Sequence, residues 1–323
     1  MTTSDPTRTA VARYPSTVMV SIVCPWDDDE RLDEAQFRRA IDHALGAGFR
    51  HLYVFGTAGE GYAVDGERFR RVVEVFLGGT AGADVRPMIG VIGLSSGAVL
   101  ERLRVAYDLG ARAFQISLPA WSVLDDAEVG AYFEAVCGAF PDAVFMHYNT
   151  ARVGRIVDGA LYREIAARVP NLVATKTMSG ELAVVSGVVR DAPELMHFLG
   201  EQSIAYGSLF GDVALLGTFG ALAPERSWDL LHAAREGRHV EAAAIGSWFQ
   251  RLSADLFAPI MVDRRVDGAY DKTIQRLVPE MHDFPLRMLS PYRTVSEPEF
   301  AAALAMLRER YPELTATRPS GGA

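Results

Sequence analysis

Asn171-Leu-Val-Ala-Thr-Lys-Thr-Met-Ser-Gly180 reads as a buried strand that runs into a lysine. Leu172, Val173 and Ala174 are apolar, Lys176 follows at the strand's end, and Ser179-Gly180 lie just beyond. An ammonium is expensive to desolvate, so lysine is rarely buried. The place of this strand in the order of elements decides both the fold and what the lysine can do.

Outward from this stretch, apolar β-rich runs of five to eight residues alternate with longer runs of helical period. Before it come VMVSIVCP (18–25), HLYVFG (51–56), RPMIGVIG (86–93), AFQISLP (113–119) and AVFMHYN (143–149). NLVATK (171–176) is the sixth run, and ELMHFLG (194–200) and DVALLGT (212–218) complete eight. Helices are predicted between them, one over 34–46 with Phe37, Ala40, Ile41, Ala44 and Leu45 on one face. Ser95 or Ser96, and Asp125 or Asp126, are placed to cap two others. Short apolar strands of this kind suit a parallel sheet covered on its outer face, and eight βα units predict a closed (β/α)8 barrel. After Pro224 the strand signal stops and helical runs continue over 226–236, 240–258, 270–278 and 297–310. The expected organisation is an N-terminal tail (1–15), a barrel (16–225), a C-terminal helical subdomain (226–312) and a disordered tail (313–323).

A net charge of −9 gives no reason to expect a nucleic-acid partner. The apolar runs fall well short of the roughly 18 residues a membrane span needs, and the polar start MTTSDPTRTAVARYP is not a secretory signal. Cys24 and Cys137 are far apart and in no metal or redox spacing, so buried thiols in a reducing cytoplasm are expected.

Barrel proteins build their sites at the C-terminal ends of the strands. Those ends carry Gly56-Thr57-Ala58-Gly59-Glu60-Gly61, Pro119-Ala120-Trp121, His147-Tyr148-Asn149, Lys176 and Gly200-Glu201-Gln202. A neutral lysine amine attacks a ketone to give a Schiff base, whose protonated imine is an electron sink. Burial lowers a lysine's pKa and supplies the neutral form, and a phenol such as Tyr148 is a suitable acid–base partner. The competing reading is that Lys176 snorkels to water or pairs with a carboxylate. The loop GTAGEG lacks the dinucleotide spacing G-x-G-x-x-G. Its N–H groups can hold a carboxylate and Thr57 can relay a proton, or the loop is simply a tight turn that Glu60 holds together. Trp121 either stacks on a substrate or packs, and Glu201 is placed to contact substrate. Adjacent acids in Asp27-Asp28-Asp29-Glu30 are read as solvated, without a metal. His147 precedes Tyr148 and points to the other face of its strand, and His197 lies inside the seventh strand, so both are expected to be structural.

Together these motifs resemble the dihydrodipicolinate synthase and N-acetylneuraminate lyase family of class I aldolases. The resemblance covers roughly residues 16–310. GTAGE (56–60) is similar to the family's GTTGE loop, HYN (147–149) to its YN motif, and ATKTMSG (174–180) to its lysine motif. GALAPE (220–225) resembles the segment that closes the barrel. The resemblance implies a barrel with a helical tail that forms a homotetramer built from dimers. It implies that Lys176 forms a Schiff base with pyruvate or a related 2-oxo acid, with Tyr148 as proton shuttle. Thr57, Ala58 and Gly59 would hold the 2-oxo acid's carboxylate, and no metal or organic cofactor is implied. An aldehyde would be the second substrate. The alternatives are a dehydratase, decarboxylase or hydratase-aldolase using the same imine, or a non-catalytic sensor of a 2-oxo acid. Three departures stand out: Ala58 replaces a threonine, no phenol follows the fourth strand, and Tyr148-Asn149-Thr150-Ala151-Arg152-Val153-Gly154-Arg155 shifts the register of the arginine that grips the second substrate's carboxylate. Arg152 or Arg155 is the candidate substitute.

Overall fold

The computed structural model describes residues 13–82, 84–260 and 265–316. Eight parallel strands close into a barrel in sequence order, β1 to β8. They are β1 (Val18–Ser21), β2 (His51–Val54), β3 (Arg86–Val91), β4 (Ala113–Ile116), β5 (Val144–Asn149), β6 (Leu172–Thr177), β7 (Met196–Gly200) and β8 (Val213–Leu216). Several are shorter than their apolar runs. Ile22, Val23 and Cys24 extend the first run but leave the ladder and are buried in the core. Apolar continuity reports burial, and a strand ends wherever the chain rolls over the rim.

The alternation of side chains sorts the residues into two layers. Met19, Tyr53, Met88, Met146, Met196, Phe198 and Ala214 fill the barrel, and the larger core lies between the strands and the surrounding helices. Those helices are α1 (Glu34–Gly46), α2 (Gly66–Thr80), α3 (Ser96–Asp108), α4 (Asp126–Gly138), α5 (Gly159–Arg168), α6 (Leu182–Asp191), α7 (Ile204–Gly207) and α8 (Pro224–Arg235). Ser95 and Asp125 are the caps of α3 and α4, accepting hydrogen bonds from the Ala98 and Glu128 amides.

The pairing of β5 with β6 has one irregularity that matters for function. Phe145 lies beside Leu172, but Met146 lies beside Ala174, so Val173 is an extra residue in β6. A slip of one residue flips every later side chain to the other face. The bulge thereby sets Lys176 beside Tyr148 on the inner face, in the place Thr175 would otherwise take.

The expected boundaries change in three places. Tyr14, expected in the N-terminal tail, is buried at the bottom of the barrel, where its hydroxyl bonds His51 Nδ1 at 2.9 Å and its ring packs on Phe198. Residues 1–12 and 317–323 lie outside the described residues, while Pro312–Leu314 form a short 3-10 turn. The boundary expected at 225 falls inside α8, which packs on β8 and β1 as the barrel's own eighth helix. The C-terminal elements are then α9 (His239–Phe257), α10 (Asp267–Leu277) and α11 (Glu297–Arg310), and they share one continuous core with the barrel.

Of these, α10 reaches the strand ends. A Cβ on its Gly268 would lie 3.2 Å from the Thr57 carbonyl oxygen, so the helix rests on the loop after β2. Next to it, Lys272 and Glu60 form a fully buried ion pair at 2.6 Å. Glu60 also accepts from Trp26 Nε1 at 2.7 Å and from the Leu289 amide at 2.8 Å. An unpaired buried charge would be costly, and here each charge has its partners.

Candidate active site

Lys176 is 3% exposed, and its ammonium lies between two phenols. Nζ donates to the Tyr53 hydroxyl at 2.9 Å and sits 3.9 Å above the centre of the Tyr148 ring. The Tyr148 hydroxyl is 3.3 Å from Thr57 Oγ1. Thr57, Tyr148 and Lys176 thus meet from β2's loop, β5 and β6 in one cavity.

The expected effect of burial on the amine is reversed. Burial does push the Lys176 pKa down, but the Tyr53 and Tyr148 phenols beside it and Asp271 more than offset this, and the pKa is raised. Lys176 therefore rests as the ammonium at neutral pH, held by the Tyr53 oxygen and the π-face of Tyr148. It must lose a proton before it can act as a nucleophile.

These residues line a cavity of about 250 Å³, whose walls also include Ala58, Ser21, Met178 and Tyr270. That volume suits metabolite-sized ligands. Tyr53 is the residue that sequence reasoning missed. Leu52 and Val54 flank it in the outer core, so the period of two puts its phenol inside the barrel, and that signal was legible in HLYVFG. The second omission is a stripe on α10. Asp267, Tyr270, Asp271, Ile274 and Gln275 all line the cavity and fall at helical spacing on one face.

Five expected contacts are corrected. Gly59 does not line the cavity: a Cβ there would come within 2.7 Å of the Phe55 amide nitrogen, so glycine is required for the loop to wrap its own backbone. Trp121 is 86% exposed and lies off the cavity wall. Glu201 is buried and turned to the loop after β8, where Oε1 accepts from the Phe219 amide at 3.0 Å. Burial raises its pKa against those backbone hydrogen bonds. Arg155 is committed to the loop after β4, donating to the Leu124 carbonyl at 2.6 Å and pairing with Asp126 at 2.7 Å. Arg152 is half exposed and pairs with Asp267 at 2.8 Å, beside the cavity wall but outside it. Neither arginine presents a free guanidinium to the cavity.

Other residues take structural places. Glu60 holds the glycine loop, as described above. His147 is buried on the outer face of β5, with Nδ1 2.6 Å from the Tyr162 hydroxyl and its ring against Phe133. His197 bridges Thr175 and the Ala192 carbonyl. Asp27 accepts from the Asp29 and Arg31 amides, which ties the acidic loop to itself. Among the described residues no helix is long and apolar enough to cross a membrane.

A closed (β/α)8 barrel with its cavity at the C-terminal ends of the strands defines the class of this protein. The chain belongs to the dihydrodipicolinate synthetase family, whose model matches residues 14–267. It is 29% identical over 175 residues to a 4-hydroxy-tetrahydrodipicolinate synthase of Exiguobacterium sibiricum, an alignment that covers 54% of this chain and 59% of that protein. With the enzyme of the same name from Parabacteroides distasonis it is 21% identical over 252 residues, 77% of this chain and 83% of the relative. The chain thus spans less than two thirds of the Exiguobacterium relative. Among solved structures, YagE is similar in fold, with a TM-score of 0.81, 20% identity, and coverage of 91% of this chain and 98% of the other. YagE is a prophage protein of the dihydrodipicolinic acid synthase family from E. coli K12, solved in complex with pyruvate.

Proposed function

We propose that the protein is a class I, Schiff-base-forming lyase that makes or breaks a carbon–carbon bond between pyruvate, or a related 2-oxo acid, and an aldehyde. The observation that carries this reading is the buried Lys176 ammonium between the Tyr53 hydroxyl at 2.9 Å and the Tyr148 ring at 3.9 Å. A structural lysine would reach water or a carboxylate; this one is enclosed with two phenols in a cavity.

In the proposed reaction Lys176 first loses its proton by way of the Tyr148 and Thr57 hydroxyls. The neutral nitrogen attacks C2 of the 2-oxo acid, whose oxygen takes a proton to give a carbinolamine. Loss of water leaves the iminium. Removal of a proton from C3 gives an enamine, and its electron pair forms a bond to the aldehyde carbon. The aldehyde oxygen receives the carbonyl pair and a proton. Hydrolysis of the iminium releases a 4-hydroxy-2-oxo acid and restores the lysine. Cleavage is the same sequence reversed. Tyr148 serves as the proton shuttle, and Thr57 and the Ala58 amide hold the 2-oxo acid's carboxylate. The imine itself is the electron sink, so the reading needs no metal or organic cofactor.

Exchange of the pyruvate methyl protons in D2O tests enamine formation without any second substrate. The methyl signal in the proton NMR spectrum should fade with the parent protein and persist with Lys176→Ala. Absence of exchange above background with pyruvate and other simple 2-oxo acids would overturn the reading.

A further inference from the structure

One wall of the cavity that holds Lys176 is built by a helix from outside the barrel. Gly268 rests on the Thr57 carbonyl, and the Lys272–Glu60 pair fixes the next turn, so α10 is held against the glycine loop at two points. That docking presents Asp267, Asp271 and Gln275 to the cavity. Gln275 is 3% exposed, and its side-chain nitrogen has no hydrogen-bond partner among the described residues. A buried donor without a partner is costly, and a ligand hydroxyl or carbonyl would satisfy it.

Charge narrows the ligand further. Lys176 is the only lysine or arginine among the described residues lining the cavity. Once it carries a 2-oxo acid as an iminium, the acid's own carboxylate balances its charge. Arg152, beside the wall, is already matched by Asp267. A second carboxylate would then enter the cavity with no lysine or arginine among the described lining residues left to pair with it.

We propose, building on the reading above, that the α10 face carrying Asp267, Asp271 and Gln275 recognises the aldehyde. It selects an uncharged, hydroxyl-bearing acceptor over one that carries a carboxylate, and Asp271 is the specificity-determining residue. Burial first, and then the neighbouring Asp267 charge, raise the Asp271 pKa to about 8, against the lowering effect of Lys176. At neutral pH its carboxyl is therefore mostly protonated, able both to donate to and to accept from an acceptor hydroxyl.

The test compares kcat/KM for glyceraldehyde and for succinic semialdehyde, each with pyruvate, using the full chain. The parent should favour glyceraldehyde by about tenfold or more, because a site built for hydroxyls rejects a group that leaves it unpaired. Asp271→Leu should lose about tenfold or more for glyceraldehyde, mainly through KM, and Asp271→Asn should recover much of that loss by restoring hydrogen bonds. Borohydride trapping of the pyruvate adduct in the same samples reports folding and the first half-reaction separately. Without an adduct on the parent, the Schiff-base reading itself fails. With adducts present, the inference is overturned if the parent prefers succinic semialdehyde, if neither aldehyde is consumed, or if Asp271→Leu leaves the glyceraldehyde KM unchanged.

Discussion

Lys176 Nζ donates a 2.9 Å hydrogen bond to the Tyr53 hydroxyl, joining β6 to β2 across the barrel interior. This contact favours the ammonium, because a phenol oxygen accepts from the charged form. Tyr53→Phe removes the acceptor and leaves burial in place. A hydrogen bond to a charged group contributes about 1.5 kcal/mol, or about one pH unit. The pH midpoint for trapping the pyruvate adduct should therefore fall by about one unit in the variant. An unshifted midpoint would show that Tyr53 does not control the amine.

Tyr148 and Thr57 meet at 3.3 Å and are assigned the proton transfers. Removing a positioned proton carrier lowers turnover by about 10²–10⁴-fold. Tyr148→Phe should fall in that range in steady-state kcat. Thr57→Val, which keeps the shape and loses the hydroxyl, should cost less, about tenfold, if Thr57 acts through Tyr148. Equal losses in the two variants would contradict that order.

The buried Glu60–Lys272 pair ties the glycine loop to α10. Glu60→Ala would leave Lys272 without its carboxylate and strand the Trp26 indole N–H and the Leu289 amide. Breaking a buried pair on one side costs about 3–5 kcal/mol. Urea denaturation should show a loss of that size at pH 7. A loss below about 1 kcal/mol, the range of an exposed pair, would contradict the account.

Burial holds three histidines neutral in the fold, pushing His147 down to about 3 and His51 and His197 to about 4. All three start from 6.5, so between pH 6.5 and about 4 the unfolded chain binds protons that the fold refuses. Stability then rises with pH across that window and is lost as pH falls through it. Urea midpoints should drop between pH 7 and pH 5, and His197→Gln should flatten the drop. A flat profile in the parent would show that these rings are not held neutral.

The barrel was legible because each strand is apolar and each helix keeps its own period. Lys176 and Tyr148 were legible because reactive side chains ending apolar strands are unusual. Strand ends were less so: Ile22, Val23 and Cys24 are as apolar as β1 itself, yet lie beyond its ladder. Tyr53 escaped because an aromatic inside a strand reads as packing unless its inward parity is followed to the lysine. The α10 stripe escaped for another reason. Its Asp267, Asp271 and Gln275 look like a solvated helix face, and only the docking of Gly268 and Lys272 on the glycine loop turns that face into a cavity wall. Arg152 and Arg155 look available in sequence, and their partners are Asp267, the first residue of α10 far along the chain, and Asp126, the first residue of α4.

The central claim is that Lys176 carries the substrate as an imine. The direct measurement is peptide mapping by mass spectrometry after incubation with pyruvate and reduction with borohydride. The account predicts one adduct, on the peptide containing Lys176, and none in Lys176→Ala. An adduct on Lys272 or elsewhere with Lys176 unmodified, or no adduct with any simple 2-oxo acid, would contradict it.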